Sequence, residues 1–145
     1  MNTECEIRKL VIQCGFGWIG VAATAEGVRR IILPGKSKRA VDGELLQTEC
    51  PVQSVKKPRY STKKNLHRAE KLLKKYFSGE PVSFDLPLDL GYRTPFQQAV
   101  WRAAAEIPYG QTRSYAWIAK KIKNPKAVRA EGQALGANPI PIIIP

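Results

Sequence analysis

Histidine is almost missing from this chain, and paired cysteines are missing altogether. Among 145 residues there is one histidine, His67, and three widely spaced cysteines, Cys5, Cys14 and Cys50, with no CxxC. A four-ligand zinc site would have to borrow carboxylates, so no metal is expected. An odd number of scattered cysteines gives no disulfide framework. Each reads as a small hydrophobe. A Cys–His nucleophile pair built on His67 is the weaker alternative, because His67 falls in a Lys/Arg-rich stretch. No apolar run approaches membrane-span length, and the start MNTECEIRK lacks a signal-peptide pattern. Cytosol, nucleoid or nucleus is the expected location, and no membrane partner is expected. No internal repeat is present. Acidic residues are also scarce, 12 against 24 Lys and Arg, giving a net charge of +12. Such an excess repels itself and suggests a polyanionic partner, nucleic acid above all. The bland alternative is solubility.

What is present divides near Leu90-Gly91. The fold class expected is α+β: a small antiparallel sheet domain with a helix over residues 1–90, then a mostly helical domain over 91–145. Short Val- and Ile-rich runs at Ile7–Gln13, Trp18–Ala23 and Val28–Leu33 alternate with glycine turns, which predicts a meander. Residues 36–61 show no periodicity and several charges, and read as a loop or a poorly ordered stretch. Between Lys56 and Lys75 nine Lys or Arg accompany one acid, Glu70. Leu66, Ala69, Leu72, Leu73, Tyr76 and Phe77 fall there at helical spacing. The spacing predicts an amphipathic helix with a basic outer face, capped by Thr62 and ended by Gly79. Pro81–Leu90 reads as extended, with Pro87 confining it to an edge or linker.

The last third reads as short capped helices. Thr94-Pro95-Phe96-Gln97 is a capping box with proline at the first helical position, and Phe96, Val100, Ala103 and Ile107 form a stripe. Ser114 caps a second helix. Asn124-Pro125 reads as opening a third, which runs to about Gly136. The tight turn between these two predicts a helix-turn-helix. Ala127, Ala130, Gly132, Ala134 and Gly136 make the third helix slim, with Arg129 its one long cation. A slim helix can press against a DNA groove, where an arginine could fill a gap in the base stack. Tight helix–helix packing explains the small residues equally well.

Four pieces in order, TPFQQAVW, IPYGQTRSYAWIA, NPKAVRAEGQALGANP and IPIIIP, closely resemble the C-terminal domain of the O6-alkylguanine-DNA alkyltransferases (methylated-DNA–protein-cysteine methyltransferases). GWIGVAATAEGVRRIILPG and KLLKKYFSGEPVSFDLPLDL resemble that family's smaller, ribonuclease-H-like domain. The resemblance implies a winged-helix-like second domain. It also implies DNA repair by stoichiometric transfer of a methyl or other alkyl group from O6 of guanine (also O4 of thymine) to a protein cysteine. No cofactor is implied. The partner implied is double-stranded DNA carrying O6-alkylguanine, entered from the minor groove by a monomer.

In the family the IPIIIP-like lead-in is followed at once by Cys-His-Arg, and that cysteine accepts the alkyl group. It would be the residue after Pro145, so the chain is expected to be incomplete at its C-terminus, with no catalytic residue among those present. Carbon on a guanine oxygen must be attacked in line by a soft nucleophile, for which a thiolate is suited. The nucleotide must first be rotated out of the duplex. By resemblance, Arg129 fills the gap left by the flipped base, and Tyr115 helps rotate the nucleotide and contacts it. Asn124, Ala130 and Gly132 meet DNA, Asn124 at a phosphate. Asn138 braces the cysteine-bearing segment. For each of these the plain alternative is capping or packing. Glu131 departs from the pattern, which commonly has Val there; a carboxylate would lose packing or face phosphates. Cys5 resembles a zinc ligand of some relatives, but the partner histidines are lacking.

Two further readings stand beside this one. An alkyltransferase-like protein with another residue in place of the cysteine would bind alkylated DNA without repairing it. An inactive fragment would leave Ile140, Ile142, Ile143 and Ile144 as lead-in to an uncompleted core.

Overall fold

A computed structural model describes residues 6–49, 61–91 and 93–145. The chain divides into two compact units, Met1–Asp89 and Leu90–Pro145.

The first unit is built on a three-stranded antiparallel meander, β1 (Arg8–Cys14), β2 (Gly17–Thr24) and β3 (Gly27–Gly35), in that order. β1 pairs with β2 from Arg8↔Ala23 to Cys14↔Gly17. β2 is buried on both faces from Ile19 to Thr24, because a helix packs on each. α1 (Lys38–Leu46) lies against β2 through Val41 and Leu45. A Cβ added at Gly20 would sit 2.9 Å from side-chain atoms of both, so this approach needs glycine. α2 (Thr62–Phe77) buries Thr62, Asn65, Ala69 and Leu73 and packs on β1, β2 and β3.

α1 corrects the sequence reading, which places a loop over 36–61. Its apolar signal is only the i,i+4 pair Val41 and Leu45, diluted by Lys38, Arg39, Asp42 and Glu44. A capping signal is nevertheless present: Ser37 Oγ accepts the amide N–H of Ala40 at 3.1 Å. α2 is capped by Ser61, whose hydroxyl accepts from the Lys64 amide, while Thr62 is its first, buried residue. Gly79 does end that helix, at φ +86°.

A buried polar cluster ties the turn end of the β2–β3 hairpin to the segment leading out of the unit. Thr24 Oγ1 donates to Asp89 Oδ2 at 2.7 Å, and Arg29 Nη1 donates to the same oxygen at 3.1 Å. Asn65 Nδ2 donates from α2 to the Thr24 carbonyl at 2.9 Å. The backbone joins in: Val28 N–H donates to Pro87 O and Asp89 N–H to Val28 O. Gly27, at φ +147°, lies so near Pro87 that an added Cβ would meet its carbonyl oxygen at 2.2 Å. No other residue fits that turn.

The second unit holds α3 (Pro95–Ala105), α4 (Tyr115–Lys121) and α5 (Val128–Gly136), packed pairwise. The capping box on α3 is complete: Gln97 N–H donates to Thr94 Oγ1, and Thr94 N–H to Gln97 Oε1. Trp101, absent from the stripe read in the sequence, is fully buried and donates its indole N–H to the Ala134 carbonyl of α5 at 2.8 Å. One hydrogen bond thereby fixes the height of α5 against α3. The architecture is the expected α+β one, a three-stranded antiparallel sheet with helices followed by a mostly helical region.

Candidate nucleic-acid interface

α4, the turn 122–127 and α5 form a helix-turn-helix. Ser114 caps α4, its hydroxyl accepting from the Trp117 amide at 3.2 Å. Ile118 and Ala119 bury its inner face. The helix stops where Lys123 takes a left-handed backbone, φ +59°. Asn124 N–H then donates to Ala119 O, and Ala127 N–H to Asn124 O.

That turn corrects one boundary. Asn124-Pro125 does not begin the third helix; α5 starts at Val128, and Asn124 is an exposed turn residue before it. Helical geometry is delayed because 124–127 closes a turn of its own. The side chain of Asn124 makes no hydrogen bond to a described residue. Ala127 supplies no side-chain cap to α5, so the first N–H groups of that helix lack an intrahelical partner and form a weakly positive end.

α5 turns Glu131 and Ala134 inward and leaves Arg129, Ala130, Gln133 and Gly136 exposed. Its outer face thus carries one cation, Arg129, next to the small residue Ala130, with Val128 and Gln133 also exposed. Lys120, Lys123 and Lys126 are exposed on the adjoining helix and turn. Between Leu90 and Pro145 there are eight Lys or Arg and two acids, Glu106 and Glu131. Glu106 is paired with Lys121, and Glu131 is inside. The exposed surface here therefore carries almost unopposed positive charge. Arg113 and Lys121 lie over the Trp117 ring, 5.6 and 5.2 Å from its centre.

Of the residues singled out from the sequence, Tyr115 and Gly132 are brought together: a Cβ at Gly132 would stand 3.6 Å from Tyr115 Cε2. The tyrosine lies beside α5 and is 49% exposed. Arg129 and Ala130 are adjacent on the exposed side of the same helix. Asn124 stands apart from them, at the turn. Sequence reasoning does not single out the cations Lys123 and Lys126, since isolated surface lysines carry no periodic signal.

Asn138 is the organising residue of the segment after α5. Its Nδ2 donates to Ile144 O and its Oδ1 accepts from Ile140 N–H, both at 2.8 Å. Ile144 N–H also donates to Ile140 O at 2.9 Å. The isoleucine-rich segment is therefore a closed turn rather than a strand. Its side chains are not left exposed either: Ile140, Ile143 and Ile144 are buried. The reversal puts Ile142 at φ +76°, a conformation that a β-branched residue adopts at a cost of about 1–3 kcal/mol. Asn138→Ala removes both side-chain bonds holding that turn. It is expected to destabilise the second unit by about 1–3 kcal/mol, read as an earlier urea midpoint; an unchanged midpoint would show the turn holds itself.

Among the described residues no cluster of three or more His, Cys, Asp or Glu could hold a metal ion. Cys14, half-buried at the end of β1, is a free thiol. Cys5 and Cys50 lie outside the described residues.

Residues 95–145 match the family model of the 6-O-methylguanine DNA methyltransferase DNA-binding domain. A methylated-DNA–protein-cysteine methyltransferase of Methanosarcina acetivorans is 38% identical over 136 residues, covering 93% of this chain and 78% of that protein. The chain belongs to this family. The constitutive Bacillus subtilis member is 47% identical over 93 residues, which are 64% of this chain and 56% of that protein. The O6-methylguanine methyltransferase of Mycobacterium tuberculosis superposes with a TM-score of 0.69 at 34% identity, over 97% of this chain and 76% of that one. A structure of the Mycobacterium tuberculosis protein in complex with DNA superposes at 0.66, also at 34% identity, over 94% of this chain and 74% of that one. Family membership makes this a DNA-repair methyltransferase scaffold with DNA as its partner.

Proposed function

We propose that these residues grip alkylated duplex DNA for a single-turnover alkyl transfer. In this reading α5 enters the minor groove. Its small residues Ala130 and Gly132 allow close approach, and Arg129 fills the space left by a rotated nucleotide. Tyr115, beside Gly132, packs against the rotated base. Asn124 and the uncapped end of α5 meet phosphates. The turn braced by Asn138 leads to the acceptor cysteine, which is expected directly after Pro145. There the sulfur of a thiolate would bond the alkyl carbon as the carbon–O6 bond breaks. The guanine takes up a proton, and the thioether is not turned over. The observation that carries this reading is the outer face of α5, where Arg129 is the one cation and Ala130 stands beside it, on a family-matched helix-turn-helix.

Arg129→Ala is expected to weaken binding to a duplex containing O6-methylguanine by about tenfold or more, equivalent to 1.4 kcal/mol. Binding would be followed by fluorescence anisotropy, with circular dichroism to show the helices intact. Equal affinity would remove the arginine from its role. The acceptor assignment is tested with duplex carrying a radiolabelled O6-methyl group. Residues 1–145 are expected to bind it and take up no label, and the protein extended through the next residues is expected to be labelled on the cysteine after Pro145. Label on Cys14 would overturn that assignment.

A further inference from the structure

The outer face of α2 is the second strongly charged surface, in the unit that carries none of the residues assigned above. Lys63, Lys64, His67, Lys71, Lys74 and Lys75 are all exposed on it. Glu70 is the only acid in the helix, and it is committed to Lys74 at 2.7 Å. Lys63, Lys64, Lys71 and Lys75 form no ion pair with any described residue. Arg68 is used internally, donating to the Asp85 carbonyl at 2.8 Å.

Only Lys74 and Lys75, in the last turn, suit the negative end of the macrodipole; the rest of the pattern works against the helix that bears it. The first turn has no acid, and Lys63 and Lys64 stand there at the positive end of the macrodipole, where cations are unfavourable. Lys71 and Lys75 repel at i,i+4, as do Lys64 and Arg68. Packing on the sheet uses the opposite face, Asn65, Ala69 and Leu73, so these lysines contribute nothing to the core. A charge pattern that opposes local stability and packs against nothing is explained by a partner. Along a helix rising 1.5 Å per residue, Lys63 to Lys75 extends about 18 Å. Over that length a duplex presents about ten phosphate charges. The matching is of charge to charge along a line, with no apolar groove that would select a protein segment.

We infer that the outer face of α2 is a second contact surface for the DNA phosphate backbone, independent of sequence and of alkylation, and additional to the helix-turn-helix. It rests on DNA being the partner but not on the roles given to Arg129 or Tyr115. Its function is to hold the protein on undamaged DNA, raising local concentration during the search for a lesion.

The test replaces four exposed lysines by glutamine, Lys63→Gln, Lys64→Gln, Lys71→Gln and Lys75→Gln. Glutamine preserves helix propensity. Affinity for a long unmodified duplex is measured against salt concentration, beside Arg129→Ala. For every phosphate that the protein no longer neutralises, the slope of log K against log salt becomes shallower by about 0.9. The quadruple variant is expected to give up about 2–4 units of slope and at least tenfold in affinity at low salt. The matching set of Lys→Arg changes is expected to keep both, which separates removal of charge from disruption of the fold. A slope and affinity equal to the unaltered protein would overturn the inference while leaving the helix-turn-helix reading intact. An Arg129→Ala protein that binds lesion DNA normally would do the reverse. Weakened binding to anionic lipid vesicles with unchanged DNA binding would also overturn it.

Discussion

Asp89→Ala is expected to destabilise the first unit by about 3–5 kcal/mol, the cost of removing one partner from a buried ion pair. Arg29 and Asp89 are 6% exposed at their side chains. The alanine variant takes the Asp89 carboxylate from the guanidinium and the acceptor from the Thr24 hydroxyl. The cluster closes the β2–β3 hairpin on the 87–89 segment, so the damage should be local before it is global. Amide exchange should speed up in β2, β3 and α2, while α5, in the other unit, keeps its protection. Asp89→Asn keeps a neutral acceptor for Thr24 and should cost less. If alanine leaves the urea midpoint and the β3 amides unchanged, the pair does not hold the hairpin.

How legible each element is in the sequence tracks how many independent signals it carries. The meander is legible because short Val- and Ile-rich apolar runs and glycine turns agree at every hairpin. α3 is legible because Thr94, Pro95 and Gln97 announce its start three times over. α1 is not, since two buried residues on nine positions give no period, and only the cap at Ser37 could reveal it. The Asp89 cluster is invisible for a different reason. Thr24, Arg29 and Asn65 are ordinary polar residues far from Asp89 along the chain, and only folding brings them together. In the candidate interface the residue types are legible and their placement is not. Asn-Pro is a helix-opening pair, so Asn124 reads as a helix start, but the left-handed Lys123 and the 124–127 turn intervene. The terminal isoleucines read only as an apolar lead-in, whereas Asn138 folds them into a turn.

Glu131 is the place where residue type and position disagree most, and replacing it should stabilise the protein. Its side chain is fully buried, and neither carboxylate oxygen has a hydrogen-bond partner among the described residues. The two alternatives left open by the sequence, lost packing or exposure to phosphates, are therefore settled in favour of burial. Its place in the first turn of α5 favours a negative charge by no more than about 1 kcal/mol, less than desolvating an unpaired carboxylate costs. Burial accordingly raises its pKa from 4.5. The sign follows from linkage. Below about pH 4.5 the carboxyl is protonated in both states, and its charge costs folding nothing. As pH rises through the ordinary value toward the raised one, the unfolded chain releases the proton first, and stability falls. Above the raised value the penalty is complete. Glu131→Val, restoring the residue type common in the family pattern, is expected to add about 1–3 kcal/mol at neutral pH and to flatten this decline. Glu131→Gln should flatten it too while gaining less, because its amide stays unsatisfied. Urea unfolding across pH 4 to 8 reads both effects. Parallel pH profiles for the valine variant and the unaltered protein would mean that the carboxylate finds solvent or a partner, and that the slim helix tolerates it at no cost.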